Sequence, residues 1–155
     1  MITKTLLEFK ELLQINKPII AIDYGMRKTG LAISDPGQTI AMPFNTIYQT
    51  DEKEKIKTIL NLATSYAACG IVIGLPINMD GTVSNQTTIL LKFATILSLA
   101  TTLPTYLQDE RLSSKAANSL LKSLGFTRRE RNNQDDAVAA SLLLETTLIS
   151  MQKLV

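Results

Sequence analysis

Ile19-Ile20-Ala21-Ile22-Asp23-Tyr24-Gly25 is a short apolar run that ends on one carboxylate and a glycine. A continuous run of this length predicts a buried strand over 19–23. An ionised Asp at the end of a core strand costs free energy unless something compensates it, and a metal ion is a common compensator. Downstream, Gly25-Met26-Arg27-Lys28 predicts a hairpin turn and Thr29–Ser34 a second strand with Leu31 and Ile33 alternating around Ala32. Asp35-Pro36-Gly37 is a strong turn signal, and a third strand is expected over 41–48. Three strands in succession predict an antiparallel meander.

Upstream, Leu6, Phe9, Leu12 and Leu13 recur at helical spacing, which predicts an amphipathic helix over 2–15, ended by Lys17-Pro18. After the meander, Thr50 is expected to cap a helix with Asp51 and Glu52 in its first turn, where the dipole favours acids. Ala67-Ala68-Cys69-Gly70 reads as its small-residue end, with Gly70 as the stop. A buried strand is expected over 71–75, a polar loop over 76–84, a helix over 85–100 and a short strand over 104–108. A helix over 114–124, a polar and basic stretch over 127–134 and a last helix over 137–153 complete the chain. The predicted architecture is α/β: a mixed five-stranded sheet, meander plus parallel strands, with helices on both faces. One domain is expected over 1–155, with 1–17 as a helical extension.

Composition removes several chemistries. The chain has no His, which excludes His general bases, His-containing triads and His-based zinc sites. A single Cys69 allows neither an internal disulfide nor a Cys-rich metal site, and suits a reducing cytosol. Aromatics are only 5% of the residues and Trp is absent, which disfavours recognition by rows of stacked bases. A net charge of +2 points to a local basic patch rather than a global field. No signal peptide and no membrane-spanning run is visible.

Acidic residues stand at three predicted element boundaries: Asp23 after the first strand, Asp109-Glu110 after the last, and Asp135-Asp136 at the expected start of the final helix. In open α/β sheets, functional groups gather beyond the carboxyl ends of the parallel strands. Taken singly, each acid could be a turn former, a solvated charge or a helix cap. Together they could hold magnesium, which takes hard oxygen ligands and keeps several waters. Two such ions about 4 Å apart activate a water and stabilise the leaving oxygen of a phosphodiester, and no His is needed. Basic residues flank these stations in two loops, Arg27-Lys28 and Arg128-Arg129 with Arg131. Gly74-Leu75-Pro76 with Asn78, Asp80 and Gly81 makes a polar loop that could position phosphates. Gly25 to Gly30 has P-loop spacing, but Leu31 stands where Lys is required, so a P-loop is rejected.

Four segments resemble the YqgF family, also called RuvX. They are Ala21-Ile22-Asp23-Tyr24-Gly25-Met26-Arg27-Lys28-Thr29-Gly30-Leu31-Ala32-Ile33-Ser34-Asp35, Gly74-Leu75-Pro76-Ile77-Asn78-Met79-Asp80-Gly81-Thr82, Asp109-Glu110-Arg111-Leu112-Ser113-Ser114 and Asp136-Ala137-Val138-Ala139-Ala140. The resemblance implies a ribonuclease H-like fold and a Mg²⁺- or Mn²⁺-dependent nuclease that processes the 5′ end of pre-16S rRNA in the cytoplasm. It implies Asp23, Glu110 and Asp136 as metal-holding catalytic acids, with Arg111 on phosphate or bracing Glu110. Arg27, Lys28, Asn78, Arg129 and Arg131 are the expected substrate contacts. Asp135 departs from the family, which is apolar there. The expected partner is structured RNA or branched DNA and no membrane, with a monomer or homodimer as the assembly. The alternatives are a Holliday junction-resolving DNA endonuclease and a non-catalytic nucleic-acid-binding adaptor.

Overall fold

The computed structural model describes residues 1–76, 80–109 and 128–154, the side chains of 128–135 excepted. The elements run α1 (Leu6–Leu12), β1 (Ile19–Asp23), β2 (Thr29–Ser34), β3 (Ala41–Ile47), α2 (Glu52–Ser65), β4 (Gly70–Leu75), α3 (Asn85–Leu99), β5 (Thr105–Asp109) and α4 (Arg128–Gln152). The sheet order is β3-β2-β1-β4-β5, antiparallel through β3-β2-β1 and parallel through β1-β4-β5. This is the expected mixed sheet.

Strand alternation divides the core in two. Ile20, Ile22, Leu31, Ile71 and Ile73 pack with Ile56 and Ile59 of α2 and with Leu90, Phe93 and Leu97 of α3. Ile19, Ala21, Ala32 and Val72 pack on the other face with Phe9 of α1 and with Ala140, Leu143, Leu144 and Leu148 of α4. Helices therefore cover both faces, and β1 and β4 are buried on both sides, as their unbroken apolar runs require.

Several boundaries differ from expectation. Helix α1 is shorter than 2–15, because Thr5 caps it by accepting from the Glu8 amide, at 3.1 Å. Residues before the cap run beside β5 instead: the Thr3 amide donates to Thr105 O at 2.8 Å, and the Thr105 amide to Met1 O at 2.9 Å. Asp51, not Thr50, caps α2, its carboxylate accepting from the Glu54 amide. Gly70 does not stop α2. Ala67 takes the left-handed position at φ 56°, and Ala68 N donates back to Ala63 O at 2.8 Å. Gly70 is instead the first residue of β4, where a Cβ would press on Leu13 and Phe9. Cys69 is therefore a buried residue before β4 rather than a helix end. The final helix begins at Arg128, not near Ala137, so Asp135 and Asp136 lie inside it rather than at its start. No Gly or Pro interrupts the chain between 126 and 155, so the polar stretch 128–135 can propagate helix without an apolar period. The helix expected over 114–124 lies outside the described residues.

Ser84 caps α3 through a reciprocal pair with Thr87. Thr87 is buried and its hydroxyl also donates to the Pro76 carbonyl, which ties the loop after β4 to α3. Ser84→Ala should cost about 1 kcal/mol. In urea denaturation the midpoint should fall with an unchanged slope.

Candidate active site

Asp23 is the last residue of β1 and pairs with Gly30 of β2. Alternation puts its side chain on the same face as Ile19 and Ala21, the face that α4 covers. On that face, opposite Gly30, lies the backbone of Asp136. A Cβ on Gly30 would collide with the Asp136 carbonyl and stand 2.8 Å from the Ala137 nitrogen. The missing side chain of Gly30 therefore lets the Asp136 backbone pack directly on β2, at the residue that pairs with Asp23. Thus α4 crosses β2 where β2 pairs with the end of β1.

The parallel strands β4 and β5 end beside β1. Ile22 is in register with Ile73, and Leu75 with Asp109. Alternation along β5 places Tyr106 and Gln108 on the α4 face, where the Thr147 hydroxyl of α4 donates to Gln108 Oε1 at 3.0 Å. Asp109 falls on the opposite face with Leu107. Of the second station, the described residue Asp109 thus faces away from α4.

The turn after Asp23 is held from several sides. Tyr24 packs edge-on to Phe93 of α3, with ring centroids 4.3 Å apart. Burial, and then the nearby Glu52 carboxylate, push the Tyr24 phenol pKa up. The Thr29 hydroxyl donates to Gly25 O at 3.0 Å. Lys55, from α2, is 1% exposed. Its Nζ donates to Gly25 O at 2.8 Å and Met26 O at 3.4 Å, and sits 4.6 Å from the centre of the Tyr24 ring. Burial pulls the Lys55 pKa down, and Glu52 partly offsets that. Beside this turn opens a cleft of about 300 Å³ lined by Asp23, Tyr24, Met26, Pro76, Gln86 and Ile89.

Arg27 and Lys28 are exposed in the same turn, next to Asp23. Asp80 folds back on Thr82, whose hydroxyl and amide donate to Oδ1 at 2.7 and 3.0 Å and hold its carboxyl below the ordinary carboxylate range. Arg129, Arg131 and Asp135 belong to the first turns of α4, and their side chains lie outside the described residues. Asn78, Glu110 and Arg111 also lie outside them. Among the described residues no three acids gather closely enough to hold an ion by themselves. Sequence reasoning missed Gly30 and Lys55. Gly30 stood in a quoted motif, but its close approach to α4 is a tertiary fact. Lys55 was not singled out, because its burial comes from tertiary contacts with the β1–β2 turn.

A family model described as "RuvX: Holliday junction resolvase" matches residues 17–150. The chain belongs to the RuvX family. A relative from Rickettsia felis, named "Putative pre-16S rRNA nuclease", is 55% identical over 154 residues, 99% of this chain and 100% of the relative. One from Rickettsia conorii with the same name is 54% identical over the same shares. Among solved structures, Thermus thermophilus RuvC in complex with Holliday junction substrate has a TM-score of 0.53 at 15% identity, covering 88% of this chain and 97% of that one. Fowlpox virus resolvase with its junction DNA has a TM-score of 0.52 at 13% identity, covering 88% and 99%. The RuvX chain therefore has the resolvase-type, ribonuclease H-like fold.

Proposed function

We propose that this RuvX chain is a Mg²⁺- or Mn²⁺-dependent nuclease that hydrolyses phosphodiester bonds of the 16S rRNA precursor, with Asp23, Glu110 and Asp136 as its acidic set. The observation that carries the reading is the packing of the Asp136 backbone on Gly30, the residue paired with Asp23, in a chain more than half identical to relatives named for that activity. The donor set fits hard divalent ions. The acids offer carboxylate oxygens, the chain has no His, and Cys69 lies at the far end of the sheet, before β4. Ions bound there would activate a water and stabilise the leaving oxygen. Asp23 and Asp136 supply negative charge at fixed strand and helix positions. Arg27 and Lys28 hold substrate phosphates at the rim, joined by Asn78, Arg111, Arg129 and Arg131. A ribosomal RNA substrate would place the enzyme in the cytosol. Among the described residues no helix is long and apolar enough to cross a membrane.

A second reading is supported by the family description and by the fold shared with junction resolvases: cleavage of branched DNA by the same acids. The test offers purified protein a 5′-extended 16S precursor and a four-way DNA junction, each with Mn²⁺ and again after chelation. Metal-dependent cutting of the precursor is expected, and chelation should abolish it. Cutting of the junction alone would transfer the assignment to DNA. Cutting of neither, by a protein that binds Mn²⁺ in calorimetry, would overturn both.

A further inference from the structure

We propose that Lys55 is a positioning residue that sets the β1–β2 turn so that the backbone amides of Met26 and Arg27 receive a phosphate oxygen of the substrate. The inference rests on the nuclease reading above and extends it to a part of the site that carries no acid.

A buried ammonium is costly unless its donors are used. A lysine serving only to cover apolar surface keeps its head in water. Lys55 does the opposite. At 1% exposure its head is turned inward onto two successive carbonyls, Gly25 O at 2.8 Å and Met26 O at 3.4 Å, with the Tyr24 ring 4.6 Å away. Both carbonyls belong to the five residues that join Asp23 to Thr29. The trans peptide is planar and sets each N–H opposite its C=O. The structure has no cis peptide bonds. Drawing the Gly25 and Met26 carbonyls toward α2 therefore turns the Met26 and Arg27 amides away from α2. Among the described residues neither amide donates a hydrogen bond. Successive N–H groups of a turn that face the same way are suited to receive an anion. The exposed side chains of Arg27 and Lys28 stand beside it, and Asp23 precedes it by three residues. The Thr29 hydroxyl on Gly25 O and the Phe93 ring against Tyr24 close the remaining freedom of the turn. The occupant this geometry fits is a phosphate oxygen.

The test is an amide NMR titration of the full chain with inorganic phosphate in the presence of chelator. In the wild type the Met26 and Arg27 amides should shift in a saturable way. Lys55→Met should keep a folded, dispersed spectrum and weaken that response at least fivefold, whereas Lys55→Arg should retain most of it. If Lys55→Met does not fold, Lys55→Gln is read in its place. In cleavage assays the apolar variant should raise KM for nucleic acid about tenfold more than it lowers kcat, a split that general loosening of the fold would not produce. Wild-type amides that ignore phosphate would overturn the proposal, as would an equal response in Lys55→Met. A chain that passes the titration and cuts no nucleic acid retires the nuclease reading and leaves the anion site standing.

Discussion

Asp23→Asn should abolish metal-dependent cleavage, with a fall of roughly 10³-fold or more. Losing one electrostatic donor from an active site costs about 10²–10³-fold, and Asp23 is asked to hold an ion as well as to place charge. Asn keeps the size and shape of the side chain and removes its charge. The partly buried position at the end of β1 should therefore accept it, and the metal-free variant should melt within about 3 °C of wild type. Metal separates the two proteins. Binding to the folded state alone stabilises by about 2.7 kcal/mol at a hundredfold excess over Kd, which is roughly 5–10 °C for a chain of this size. Saturating Mn²⁺ should raise the wild-type Tm by that order and leave the variant nearly unmoved. Equal cleavage by the two proteins would remove Asp23 from the mechanism. An equal Tm rise would remove it from the metal site.

The strands of this fold are written locally and its helix–sheet approaches are not. Ile19–Asp23 and Thr29–Ser34 appear where apolar runs and turn residues put them, because a buried strand is short, apolar and bounded by turn formers. Helix α4 begins nine residues before the first apolar run that announces it, because 128–135 has neither a period to mark the helix nor a breaker to forbid it. That changes the meaning of Asp136. It is not a cap at a helix start but a residue of the helix interior, and the bare Cα of Gly30 is what admits its backbone against β2. The end of α2 shows the same limit in another form, since Ala67 adopts the left-handed conformation that glycine usually supplies. Lys55 sits among Lys53, Glu54 and Lys57, and local sequence does not mark which of these polar residues turns inward. Asp23 and Asp109 were legible because each ends a strand, whereas Asp136 was marked only by its place before an apolar run. Their supports were not legible, because a glycine that admits a helix and a lysine that fixes a turn act through tertiary contacts.

Gly30→Ala should damage stability and chemistry together. The added Cβ would meet the carbonyl and carbonyl carbon of Asp136 and stand 2.8 Å from the Ala137 nitrogen. These are backbone atoms of a 25-residue helix, so no flexible side chain can swing aside. Relief requires moving α4 off β1 and β2, where Ala137, Val138, Ala140, Leu143 and Leu144 are buried. Overpacking a core costs about 1–3 kcal/mol where side chains can yield. Against backbone, about 3 kcal/mol or more is expected, lowering Tm by roughly 6–12 °C. The same displacement carries Asp136 away from Asp23, and a shift of about 1 Å in a reacting constellation can cost roughly 10²-fold in rate. Cleavage measured well below the variant's Tm should therefore still be depressed by about that factor, which separates misplacement from unfolding. Gly81→Ala is the control. Gly81 has φ 86° but nothing within 4 Å of where its Cβ would stand, so the substitution carries backbone strain of about 1 kcal/mol without a collision. A Gly30→Ala protein that melts and cuts like wild type would mean that α4 does not press on β2 at this point. The link from Asp136 to Asp23, and the assignment built on it, would then fall.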